Sequence, residues 1–93
     1  MIMQMKDTVE MMSSADYKER FKAEYYQTKI RYEKLKAFNN KIEAAERTAY
    51  ASTKKIEMPV HDCPADLLRN QQRIMGEYLQ ILEVRAVIED IEL

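Results

Sequence analysis

Glycine occurs once in this chain, proline twice, cysteine once, histidine once and tryptophan not at all. A fold rich in sheet needs turn residues at short intervals, and one Gly and two Pro in 93 residues cannot supply them. Abundant Lys, Glu, Ala, Met and Gln instead favour long helices. Cys63 stands alone, so no internal disulfide can form and a reducing compartment is the default. No glycine-rich phosphate loop, Ser/His/Asp set or paired-carboxylate constellation is evident. The chain therefore does not read as an enzyme, and neither a metal nor a cofactor is expected. No apolar run approaches the roughly 20 residues of a membrane span. The opening Met1-Ile2-Met3-Gln4-Met5 also lacks the basic start and long apolar core of a signal peptide. The expected location is the cytoplasm. A net charge of −1 gives no whole-chain case for DNA, RNA or membrane binding.

What the chain does contain is helical periodicity. From Ser13 onward the apolar or small ladder is Tyr17, Phe21, Tyr25, Thr28, Tyr32, Leu35, Phe38, Ile42, Ala45, Ala49, Ser52, Ile56. Its steps of three and four predict one helix over about 14–56, capped by Ser13 or Ser14, with Asn39-Asn40 the place for a bend. Glu57 to Pro64 reads as a loop, because Pro59 disfavours helix before it and Pro64 suits a first helical turn. Within it, His61-Asp62-Cys63 reads as a loop with a helix cap, since adjacent turn residues rarely face one another and no second His or Cys completes a metal site. The second helix, about 64–92, carries two apolar ladders. One runs Leu67, Gln71, Ile74, Tyr78, Ile81, Arg85, Ile88, and the other Leu68, Gln72, Met75, Leu79, Leu82, Ala86, Glu89, Leu93. That is more apolar surface than one partner helix covers. The expectation is an all-α fold: an antiparallel two-helix hairpin over 13–93, assembled into a homo-oligomer. Met-rich residues 1–12 are either a short docking helix or a dispensable leader.

Two features of the hairpin bear on function. If Pro64 folds back beside Ile56, residues 14–27 project beyond the second helix by roughly 20 Å at 1.5 Å per residue. This overhang holds Tyr17, Phe21, Tyr25 and Tyr26 beside Lys18, Arg20, Lys22 and Lys29. Its rings could stack on bases while its cations take phosphates. The second feature is Arg73, with Gln72 and Arg69, where copies around a symmetry axis would give a guanidinium ring. Intersubunit salt bridges from the same arginines are the alternative. Charge is also partitioned: residues 17–55 hold eleven Lys/Arg against five Glu, while 57–93 hold three Arg against eight acids. The two arms attract, which favours antiparallel closure.

The second helix has a likeness. Pro64-Ala65-Asp66-Leu67-Leu68 and the run from Gln72 to Ala86 resemble small phage helical-hairpin proteins, the sponges that counter CBASS and Thoeris immunity by sequestering cyclic nucleotide signals. The likeness covers about thirty residues. It implies hairpins assembled into oligomers, with a hexamer favoured, and a cyclic nucleotide ligand held between subunits. The family's trinucleotide-contacting Arg carries over to Arg73, ahead of the Arg85-Ala86 pair. The pattern departs where the family has a Trp before that Arg and a Thr-Asp-Leu-Gln run after it; this chain reads Ile74-Met75-Gly76-Glu77. The candidate ligand residues are Tyr17, Arg20, Tyr25 and Lys29 at one site, with Arg69 and Arg73 at another. The alternative function is a coiled-coil interaction module that grips a host protein.

Overall fold

A computed structural model describes residues 3–93. A 3₁₀ turn over Met5–Thr8 runs into the single-turn α1, Val9–Met12; two long helices follow, α2 (Tyr17–Arg47) and α3 (Ala65–Ile88). The described residues contain no strand. Asp16 starts α2, its carboxylate accepting from the Lys18 amide at 3.0 Å. Ser14 serves this turn differently, its hydroxyl accepting from the Asp16 amide at 3.0 Å. The cap is thus Asp16 and not the expected serines. No break occurs at Asn39-Asn40, where α2 is continuous.

The first correction lies at the far end of α2. The helix stops at Arg47 and does not run on to 56. The residues after it, Thr48-Ala49-Tyr50-Ala51-Ser52-Thr53, put only small or polar side chains on the seam, so further turns would bury little. Hydroxyl side chains also compete for the backbone. Thr48 does this directly: its hydroxyl donates to the Ala44 carbonyl at 2.8 Å and accepts from the Ile56 amide at 2.9 Å. Tyr50, off the seam, is wholly exposed. The connection to α3 is therefore residues 48–64, held partly by His61 meeting the Phe38 ring edge-on at 6.1 Å. Neither Asp62 nor Cys63 caps α3, which has Pro64 at its start and no side-chain cap.

A shorter α2 changes the register of the hairpin. Arg69, one turn into α3, pairs with Glu46, so α3 returns along nearly all of α2. At the open end the Tyr17 hydroxyl donates to Glu89 Oε1 at 2.7 Å, and Lys18 Nζ donates to the Asp90 carbonyl at 3.0 Å. The overhang expected over 14–27 is absent. Phe21 and Tyr25 join Leu79, Leu82, Ala86 and Ile91 in one core cluster within the same chain. Further along, buried Asn39 donates to the Leu68 carbonyl at 3.2 Å and to Gln72 Oε1 at 2.9 Å, pinning the pairing at one level. Gly76 lets the Tyr32 ring lie against α3, since a Cβ there would meet Tyr32 at 3.3 Å.

The two ladders of α3 have different fates. Leu79, Leu82 and Ala86 of the second are buried against α2, whereas Leu67, Ile74, Ile81 and Ile88 of the first are at least half exposed. The helix ends in a Schellman turn: the Asp90 amide bonds the Val87 carbonyl and the Ile91 amide the Ala86 carbonyl. This sends Ile91 back into the core, with Asp90 at φ 56°. The molecule is a rod of 56 × 25 × 24 Å with a radius of gyration of 17.0 Å. A compact domain of this length has about 12 Å.

Residues 3–12 pack on a side of α2 away from α3. Thr8 is fully buried there, its hydroxyl accepting from Gln27 Nε2 at 2.8 Å. The same Gln27 amide reaches Met12 Sδ at 3.5 Å. Gln4 and Asp7 close a capping box on the 3₁₀ turn. Ala23, buried by this packing, is the small residue that admits it.

Candidate functional site

Because α2 is covered on one side by α3 and on another by the N-terminal segment, clefts form along both seams. One of them, about 800 Å³, lies between residues 3–6 and the middle of α2. Met3, Met5, Ile30 and Tyr26 give it an apolar floor and walls. Lys6, Lys29 and Lys34 stand around it, with Glu33 the one acid. Helical spacing explains the grouping: Tyr26, Ile30 and Lys34 recur every four residues, and Lys29 and Glu33 flank them one row over. Tyr26 is half-buried and meets the Tyr25 ring edge-on, with centroids 5.2 Å apart. Three cations around an apolar, aromatic hollow suit an anion with a flat ring.

Lys29 belongs to two clefts. Its ammonium sits 5.7 Å from the centre of the Tyr25 ring. It also borders a smaller hollow of about 210 Å³ between α2 and α3, with Tyr32, Gly76 and Glu83. Arg20 lines a third, of about 300 Å³, with Met12, Glu24, Gln27 and Arg31. Arg20 also donates to the Ser14 carbonyl at 2.9 Å, which steadies the turn before α2.

The other expected ligand residues have partners within the chain. Tyr25 is buried, and its hydroxyl donates to Glu83 Oε2 at 2.5 Å. Burial first, then that bond, pushes its phenol far above the ordinary value. Its ring belongs to the core, and that removes the stacking face the sequence suggested. Tyr17 keeps a half-exposed ring, but its hydroxyl joins Arg85 and Glu89 in a closed network that ties the ends of the hairpin. The bond to Glu89 raises the Tyr17 phenol, and the same bond, aided by Arg85, holds Glu89 below the usual carboxylate range. Arg85 also lies over the Phe21 ring, 5.0 Å from its centre. Arg69 pairs with Glu46.

Arg73 is exposed and, among the described residues, bonded only within its own helix, to Glu77 at 2.9 Å and Asn70 at 2.6 Å. Bonds of this exposed i, i+4 kind are weak, so the guanidinium is easily redirected. The structure thus brings Lys29 and Tyr26 together in one cleft, puts Tyr17 and Tyr25 in structural bonds, and leaves Arg73 apart. The contribution of Lys6 and Lys34 was missed from the sequence. Their signal was present only as helical spacing for Lys34, and Lys6 gave none.

No helix among the described residues is long and apolar enough to cross a membrane. A family model described as Sequestin matches residues 15–88, which takes in both long helices and leaves out the N-terminal segment. No curated protein and no solved structure matches the chain.

Proposed function

This chain belongs to the Sequestin family, and from that membership we propose that it is a phage-encoded sponge for a cyclic nucleotide immune signal. The family name points to sequestration of a signal molecule and not to catalysis. The finer reading is that the signal is a cyclic di- or trinucleotide or an ADP-ribose-type molecule of CBASS or Thoeris immunity. The protein would hold it intact in the host cytoplasm. The observation that carries this reading is the family match over α2 and α3, whose α2 face bears the Lys29 cleft.

Two further features support it. A sponge needs charge neutralisation without a hydrolytic group, and Lys29, Lys34 and Arg20 supply cations with no nucleophile or paired acid among them. It also gains from assembly, and the exposed apolar face of α3 supports a homo-oligomer, for which six copies are our expectation. Arg73, on the same helix, is then the second contact we assign to ligand, offered by each copy near the shared axis.

Calorimetric titration of the protein with a panel of CBASS, Pycsar and Thoeris signals tests the proposal. Saturable heat with at least one of them is expected. The ligand recovered after denaturing the complex should have its original mass. Silence across the whole panel, or a recovered ligand with a broken phosphodiester, would sink it.

A further inference from the structure

Resting on the sponge reading, we infer that the ligand sits in the cleft between residues 3–6 and α2, and that the N-terminal segment is a working wall of that site. The ligand class is a base-bearing phosphate ester. Four observations converge on this. First, the cleft, about 800 Å³, is the roomiest of the three described hollows and lies well inside the roughly 300 to 1,000 Å³ of small-ligand pockets. Second, its lining divides by chemistry as such a ligand does. Tyr26, Met5 and Ile30 form the apolar part, where a flat base loses water, and Lys6, Lys29 and Lys34 form the cationic part, where phosphates are met.

Third, the cations are available. Lys6, Lys29 and Lys34 are exposed, and none of them is in a salt bridge among the described residues. Arg47, Arg69 and Arg85, by contrast, are paired with carboxylates in this chain. Fourth, the wall is fixed in place. Thr8 and Gln27 anchor the segment just beyond the cleft, and the Gln4–Asp7 capping box holds the 3₁₀ turn that carries Lys6. A disordered tail would lose affinity to the cost of ordering it, and this docked turn avoids most of that cost.

Because residues 3–6 lie outside the family match at 15–88, this wall is where the chain would set its own choice of signal. In this chain α2 supplies Lys29 and Lys34, while the segment would decide the size and shape of what fits.

The test is titration with cyclic GMP–AMP and cyclic ADP-ribose of the full chain and three charge reversals, with helicity checked by circular dichroism. Lys6→Glu and Lys34→Glu each weaken the better ligand by about tenfold or more; Arg47→Glu, remote from the cleft, leaves it unchanged. Lys34→Arg retains binding, which excludes a folding artefact. If the ligand binds and neither Lys6→Glu nor Lys34→Glu weakens it, the cleft assignment falls while the sponge reading stands. If neither ligand binds the unaltered chain, and no other signal does, both fall together.

Discussion

Tyr25 shows how one residue can be legible by position and hidden by partner. The three-and-four spacing puts it on the inner seam of α2, where it is found. Nothing in the sequence pairs it with Glu83, fifty-eight residues on, and that bond decides its role. A buried phenol donating to a carboxylate is a structural group, whatever its company of nearby lysines suggests. Tyr25→Phe keeps the ring and removes the donor, so it should cost about 1–2 kcal/mol at neutral pH. The pH dependence has a definite sign. The phenol is raised in the folded state, so its contribution is complete below about pH 10. It is lost as pH rises beyond that value, because the unfolded chain ionises first. Urea denaturation from pH 7 to 11 should show the gap between wild type and Tyr25→Phe closing at the alkaline end. No gap at any pH would mean that Tyr25 contributes through its ring alone.

Among the elements, α3 was the more legible and α2 the less, for a physical reason. The apolar ladders of α3 are dense enough to announce both a buried and a spare face. The ladder of α2 fades into Ala45, Ala49 and Ser52, which suit a tight helix seam and a loop equally well. Only the three-dimensional register settles where α2 stops, and that register set the position of everything called an overhang. The Lys29 cleft was hidden for the same reason. Its α2 residues follow from spacing, but its other wall arrives through the docking of Thr8 on Gln27. The end of α3 offers a prediction at this scale. Asp90 holds φ 56° in a turn where Gly is the usual residue, and its carboxylate sits at the negative end of the helix dipole. Asp90→Gly should raise stability by about 0.5 kcal/mol or more, net of the extra freedom Gly has in the unfolded chain. The check is chemical denaturation at low salt. A loss of stability would show that the carboxylate contributes something the Schellman turn itself does not explain.

Taken whole, the molecule has more surface than its mass warrants. Its accessible area is 7052 Å² for 11.1 kDa, where a self-contained monomer of that mass exposes roughly 5,700 Å². Part of the excess follows from the rod shape. Its composition is another matter: Leu67, Ile74, Tyr78, Ile81 and Ile88 line one outer stripe of α3, with Val84 and Val87 beside its last turns. Apolar surface set in a continuous row on one helix is the mark of an interface, not of scattered exposed residues. Arg73 and Glu77 flank the stripe with opposite charges, so a second α3 laid antiparallel would meet complementary groups at its edges. Burying Ile81, more than half exposed at 56 % in the single chain, should be worth about 1–2 kcal/mol per copy, and a buried carboxylate there costs several more. Ile81→Glu should therefore weaken the proposed homo-oligomer by at least about a hundredfold in affinity, with helicity kept because the residue faces away from α2. Sedimentation velocity of wild type and variant over a range of concentrations reads this directly. A wild-type chain that sediments as a monomer at every concentration would leave the stripe to a foreign protein. That outcome would remove the homo-oligomer from the sponge reading, and ligand titration would then decide between a monomeric sponge and an interaction module.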